Sequence, residues 1–192
     1  MNQLLSDVTR VLASSQGTTA ILERVARATV PHHADFCFIF LANRSSIQCV
    51  ASAHSTREGQ RLVRAFGRAY KITKGDPVST VAHVIRTGRP KLRTEIRSEV
   101  AAPVTDLRVF MLHRRLGVRS ALVVPIADAA GVLGAISLSY ADSGRRYTAQ
   151  DVPEARRVGT LTAAFLRKRM ATPAQPRVPI IPRRPLRLRA RA

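Results

Sequence analysis

Cysteine is scarce: Cys37 and Cys49 are the only two, and neither stands in a CxxC or Cys/His spacing. That excludes a zinc module and a disulfide framework, and suits buried thiols in a reducing cytosol. Long apolar runs are missing too. The longest, 36–42 and 121–127, fall far short of the ~20 residues that span a bilayer. Asp7 lies within the first ten residues with no long apolar stretch around it, so no signal peptide is read. The expectation is a cytoplasmic protein without a membrane span. Acids are few, 12 Asp+Glu against 32 Lys+Arg, a formal charge of +20.

Catalytic and cofactor signatures are absent as well. Gly75-Asp76-Pro77-Val78-Ser79-Thr80 lacks the second glycine and the lysine of a phosphate-binding loop. No GxSxG elbow occurs, and no two acids share a helix face for acid/base work. The five histidines, His32, His33, His54, His83 and His113, form no HExxH-type ligand pair. The chain therefore reads as a non-enzyme with no metal and no cofactor.

What is present is enough for one domain. Hydrophobic residues make up 45% of the 192, which supports a core. The basic residues are almost all arginine; the only lysines are Lys71, Lys74, Lys91 and Lys168. Near Met170 the composition changes. Pro173, Pro176, Pro179, Pro182 and Pro185 recur every third residue among six arginines and no acid. That period matches polyproline II, and such a segment cannot bury a core. The expected organisation is a folded domain over 1–170 and a disordered basic tail over 171–192.

Hydrophobic spacing predicts the elements of the first part. Leu4, Leu5, Val8, Val11 and Leu12 follow a helical stripe, and Ile21, Leu22, Val25 and Ala26 a second, with Thr19 as its cap. Runs 36–41 and 47–53 read as strands joined at Asn43-Arg44-Ser45-Ser46. Ser55 and Glu58 suggest a capping box before a helix with Leu62, Val63, Phe66 and Tyr70 inside. Its other face carries Arg57, Arg61, Arg64 and Arg68. Asp76 is expected to cap a helix that Gly88 ends, and Gly117 to end another. Strands at 120–127 and 132–140 read as a hairpin across Asp128-Ala129-Ala130-Gly131, with Pro125 marking an edge or bulge. A last helix starts near Asp151. Paired strands with apolar runs on both faces imply an α+β, three-layer domain: a central antiparallel sheet with helices on both faces.

Several stretches, in their order and spacing, resemble the GAF domain family. They are Ala34-Asp35-Phe36-Cys37, Val81-Ala82-His83-Val84-Ile85-Arg86-Thr87-Gly88-Arg89-Pro90, and Leu116-Gly117-Val118-Arg119-Ser120-Ala121-Leu122-Val123-Val124-Pro125-Ile126. The resemblance continues through Gly131-Val132-Leu133-Gly134-Ala135-Ile136-Ser137-Leu138 and Asp142-Ser143-Gly144-Arg145-Arg146-Tyr147. It is closest to GAF domains of actinobacterial sensor histidine kinases and serine phosphatases. It implies a ligand cavity on one face of the sheet, dimer-forming helices on the other, and a sensory role in signal transduction. Family signatures for cyclic nucleotides, bilins or reductase cysteines are not found.

Strand alternation puts Phe36, Phe38 and Phe40 on one face, and Val81, Ile85, Phe110 and His113 are the further cavity candidates. Arg57, Arg61, Arg64 and Arg68 are the anion-binding candidates. The expected function is a GAF sensory domain of two-component type, a homodimer. It would bind a small molecule or a signalling protein in trans, a kinase or phosphatase. The alternatives are a non-specific nucleic-acid-binding accessory protein, or a truncated fragment of a GAF-containing kinase or phosphatase.

Overall fold

The computed structural model describes residues 3–14, 16–96 and 106–171. The expected tail, beyond Ala171, lies outside the described residues. Among the described residues, six helices surround one six-stranded antiparallel sheet. In chain order these are α1 (Gln3–Leu12), α2 (Thr18–Ala28), β1 (Phe36–Ala42), β2 (Ser46–His54) and α3 (Arg57–Ala69). They continue with β3 (Ile72–Thr73), α4 (Thr80–Thr87), β4 (Lys91–Arg93), α5 (Leu107–Leu116), β5 (Ser120–Asp128), β6 (Gly131–Tyr140) and α6 (Val152–Ala171). The strand order is β3-β2-β1-β6-β5-β4. The α+β class and the helix-covered antiparallel sheet thus hold. The two-residue β3 is an addition no periodicity could signal.

The two faces of the sheet are divided by side-chain alternation. On one, Cys37, Ile39, Leu122, Val124, Ile136 and Leu138 meet Leu4 and Val8 of α1, Ile21 and Val25 of α2, and Val158 and Leu166 of α6. On the other, Phe36, Phe38, Phe40 and Val123 meet Val63 and Phe66 of α3, Val81 and Ile85 of α4, and Val109 and Leu116 of α5. Strand β1 lies near the middle of the sheet and serves both cores, which is why its run is apolar throughout.

Local chemistry sets most element ends, sometimes one or more residues from the expected place. The Gly59 N–H donates to Thr56 Oγ1 at 3.1 Å, so Thr56 caps α3 rather than Ser55. Asp76 accepts from Val78 and Ser79 N–H at 3.0 Å and shapes the turn before α4, while Ser79 caps the helix itself. Gly17, not Thr19, precedes α2. Thr148 and Asp151 form a capping box on the 3-10 turn Ala149–Asp151 that leads into α6. Gly88 and Gly117 take φ of 66° and 58° and end α4 and α5 in the left-handed region, as their positions suggested. Pro125 pairs only with β6, because β4 reaches no further than Val123. On the β4 side its missing donor therefore has no ladder partner to lose.

Candidate functional site

Between the sheet and helices α3–α5 lies a cavity of about 150 Å³. Its aromatic wall is built by β1. Phe36, Phe38 and Phe40 point into it and make a row, the first pair edge-on with ring centroids 5.7 Å apart and the second tilted at 5.8 Å. Phe66 of α3 lies 5.3 Å from Phe38 and 4.9 Å from Tyr70, and His113 of α5 lies 6.2 Å from Phe66. Offset and tilted pairs at these distances add about 0.5–1.5 kcal/mol each beyond area burial. The Tyr70 hydroxyl donates to Ser79 Oγ at 3.4 Å, tying the end of α3 to the cap of α4. Val81 and Thr80 close the cavity from α4, Val109 and Leu116 from α5, and Ser137 and Ser139 form its polar floor.

Five of the seven residues expected in the cavity line it: Phe36, Phe38, Phe40, Val81 and His113. The other two need correction. Ile85 is buried in the same apolar core but does not line the cavity, because it follows Val81 by one helical turn and packs further along α4. Phe110 is turned away on α5, where the Arg114 guanidinium lies 5.9 Å from its ring. The one-residue step from Val109 to Phe110 rotates a helical side chain by about 100°. The sequence reading missed Lys91, Arg93, Ser137 and Ser139. Their signal was period-2 alternation in β4 and β6.

The arginines divide. Arg57, Arg61 and Arg64 line a groove with Arg27, His54, Thr56 and Gln60. Arg68 is not part of it and lies beside Cys49, Gly67 and Lys71. Among the described residues no acid pairs with Arg57, Arg61 or Arg64, whereas Arg27 is 3.1 Å from Glu23. No Phe, Tyr or Trp lines that groove.

Titration in this region is governed by burial. It pushes the imidazoles of His54 and His113 below the ordinary value of 6.5. Asp35 and Asp142 pull His54 partly back. The Thr56 N–H donates to His54 Nδ1 at 3.0 Å, a bond only an unprotonated Nδ1 can accept. Between the folded and the ordinary value the unfolded chain holds protons that the folded chain does not. Stability therefore falls as pH drops through about 6.5. We expect the Tm to decline from about pH 7.5 to 5.5 and His113→Phe to flatten the decline, measured by calorimetry. An unchanged slope in that variant would remove His113 from the explanation. Burial also raises the thiols, Cys37 to about 12 and Cys49 to about 11, so both are protonated near neutrality.

Among the described residues no group of three His, Cys, Asp or Glu could hold a metal ion, and no helix is long and apolar enough to cross a membrane.

A family model described as GAF domain matches residues 15–167. The GAF domain of a phosphoenolpyruvate-protein phosphotransferase from Coxiella burnetii is similar in structure, with a TM-score of 0.65 at 15% identity. The match covers 88% of this chain and 93% of that one. The corresponding Acinetobacter domain gives a TM-score of 0.62 at 14% identity, covering 89% and 97%. The fRMsr of Staphylococcus aureus, solved in complex with substrate, gives 0.59 at 12% identity, covering 85% and 93%. Among curated proteins no match is found. At such identities the likeness is one of fold. The staphylococcal protein corrects one expectation from the sequence. It is an enzyme on this fold, so the expectation of a non-enzyme does not stand.

Proposed function

The chain belongs to the GAF domain family, and from that premise we propose that it senses a small molecule in the cavity over β1 and β6. Domains of this family are in general regulatory, ligand-binding parts of signalling proteins. The signalling setting is supported by structural relatives such as a methyl-accepting chemotaxis protein and a GAF domain/HD domain protein from Geobacter sulfurreducens. The observation that carries the reading is the double duty of β1. Phe36, Phe38 and Phe40 wall the cavity, while Cys37 and Ile39 between them pack in the core shared by α1, α2 and α6. A ligand that shifts the phenylalanine row moves the strand beneath the terminal helices, and interiors packed at crystal density transmit such shifts. The outer faces of α1 and α6 would then meet a second copy, or a kinase or phosphatase in trans. Exposed Met170 offers apolar surface there, flanked by Leu5, Val11 and Leu12, which are partly buried against the core.

A thermal-shift screen of metabolites tests this. Ligand at 100 times its Kd adds about 2.7 kcal/mol, a rise of roughly 5–10 °C for a chain of this size. Ser137→Phe, which fills the cavity, should abolish the rise. Amide exchange in α1 and α6 should slow with ligand in the wild type alone. A shift that survives Ser137→Phe, or exchange unchanged in both helices, would overturn the reading. Among the described residues the nucleic-acid alternative rests on the Arg57, Arg61 and Arg64 groove, which offers no aromatic platform for a base.

A further inference from the structure

Strand register orders the cavity floor chemically. Phe36 of β1 sits beside Ser139 of β6, Ser139 beside Ala121 of β5, and Ala121 beside Arg93 of β4. One row along, Phe38 sits beside Ser137, then Val123, then Lys91. Both rows lie on the cavity face, since all eight residues line the cavity. Crossing the sheet, the floor therefore runs from aromatic to hydroxyl to small aliphatic to cation, twice over.

From this gradient we propose that the cavity takes a single-ring aromatic carboxylate. The ring lies in the cage of Phe36, Phe38 and Phe66, and the carboxylate lies toward Lys91 and Arg93. The inference rests on the cavity reading above and names its ligand class. Size limits the ring count. A cavity of about 150 Å³ lined by apolar side chains is enough for benzene. Typical pockets for larger ligands run to about 300–1,000 Å³, so a nucleotide or tetrapyrrole exceeds it.

Charge sets the other end of the molecule. No Asp or Glu lines the cavity, and among the described residues neither Lys91 nor Arg93 is in an ion pair. Both cations are exposed at the sheet edge. A carboxylate there keeps part of its hydration and avoids the full penalty of burying an ion. Strands stand ~4.8 Å apart, so the cation column lies about 10 Å from the hydroxyl column. Long Lys and Arg stems cross such a gap while their heads stay wet. The Arg93 guanidinium matches a carboxylate's two oxygens. The Ser137 hydroxyl, engaged by no hydrogen bond among the described residues, is placed to donate to a ring substituent.

Titration calorimetry with benzoate, benzamide and acetate on the full chain tests the proposal. Benzoate should bind saturably, benzamide at least tenfold more weakly, and acetate not measurably. Lys91→Gln with Arg93→Gln should lower benzoate affinity about tenfold and leave benzamide unchanged. Benzamide thereby also reports that the variant cavity is intact. Equal binding of benzoate and benzamide, or a variant that binds benzoate like the wild type, would overturn the proposal. If benzoate fails while some neutral screen compound binds the wild type and not Ser137→Phe, the acid is wrong and the cavity reading stands. If no compound binds, both fall.

Discussion

Gly159→Ala is expected to lower the Tm by roughly 6–12 °C, although alanine is the better helix former by about 1 kcal/mol. Gly159 lies in the interior of α6, against β5. A Cβ built there meets the Pro125 carbonyl oxygen at 2.2 Å and its carbon at 3.2 Å. The obstacle is the backbone of β5, not the end of a flexible side chain. The helix must therefore back away along its length or the strand must bend. Overpacking usually costs about 1–3 kcal/mol where side chains can adjust, and more where they cannot. We take ~3 kcal/mol net of the propensity gain, and chains of this size lose about 2–4 °C per kcal/mol. Thr160→Ala is the control. Thr160 is exposed on the same helix, and its loss should change stability by less than about 0.5 kcal/mol. A Gly159→Ala protein as stable as the wild type would show that α6 does not approach β5 this closely.

How such positions were read from the sequence differs with the physics behind them. Elements driven by a local pattern were legible. Alternation and apolar runs marked β1, β5 and β6, and the α4 and α5 ends were marked by Gly88 and Gly117. Glycine inside a strand is a local sign of a close backbone approach, and at Gly134 of β6 a Cβ would lie 2.0 Å from the Phe40 oxygen. Gly159 gave no such sign, because glycine inside a helix looks merely unfavourable until the strand beneath it is known. The cavity divides in the same way. The Phe36, Phe38 and Phe40 face follows from period 2 alone. Arg93 beside Ala121 and Lys91 beside Val123 depend on which strands are neighbours, and no local pattern encodes that order. Phe110 was misplaced because one helical step decides between wall and surface.

The stretch Ala34-Asp35-Phe36-Cys37 and the stretch Asp142-Ser143-Gly144-Arg145-Arg146-Tyr147 were both visible as family resemblance, but not as partners. In the fold they meet. Asp35 is only 7% exposed. Its Oδ2 accepts the Ala141 N–H at 2.7 Å and the Ser143 N–H at 3.0 Å, and its Oδ1 accepts from Arg145 at 3.3 Å. Arg145 also donates to the carbonyls of Pro31 and His32 and lies 4.4 Å over the Tyr140 ring. One carboxylate thus fastens the entry to β1, the strand that walls the cavity, to the exit of β6.

Asp35→Ala would orphan two backbone donors and strip Arg145 of its carboxylate. An orphaned buried donor costs about 1–3 kcal/mol, and a buried pair broken from one side about 3–5. Arg145 keeps access to water, so the expected loss is near the lower figure, ~3 kcal/mol. Asp35→Asn retains an acceptor and should lose about half of that. The pH dependence separates this account from a mere packing defect. Burial works against the charge, but the Ala141 and Ser143 N–H groups and Arg145 outweigh it and hold Asp35 below its ordinary 3.8. A carboxylate with a depressed folded value contributes fully above the unfolded value and loses that contribution as pH falls through the folded one. The stability gap between wild type and Asp35→Ala, measured by urea unfolding, should therefore be constant from pH 7 to about 5 and narrow below about 4. A gap that stays the same down to pH 3 would mean that lost packing, and not the carboxylate's three hydrogen bonds, accounts for the defect.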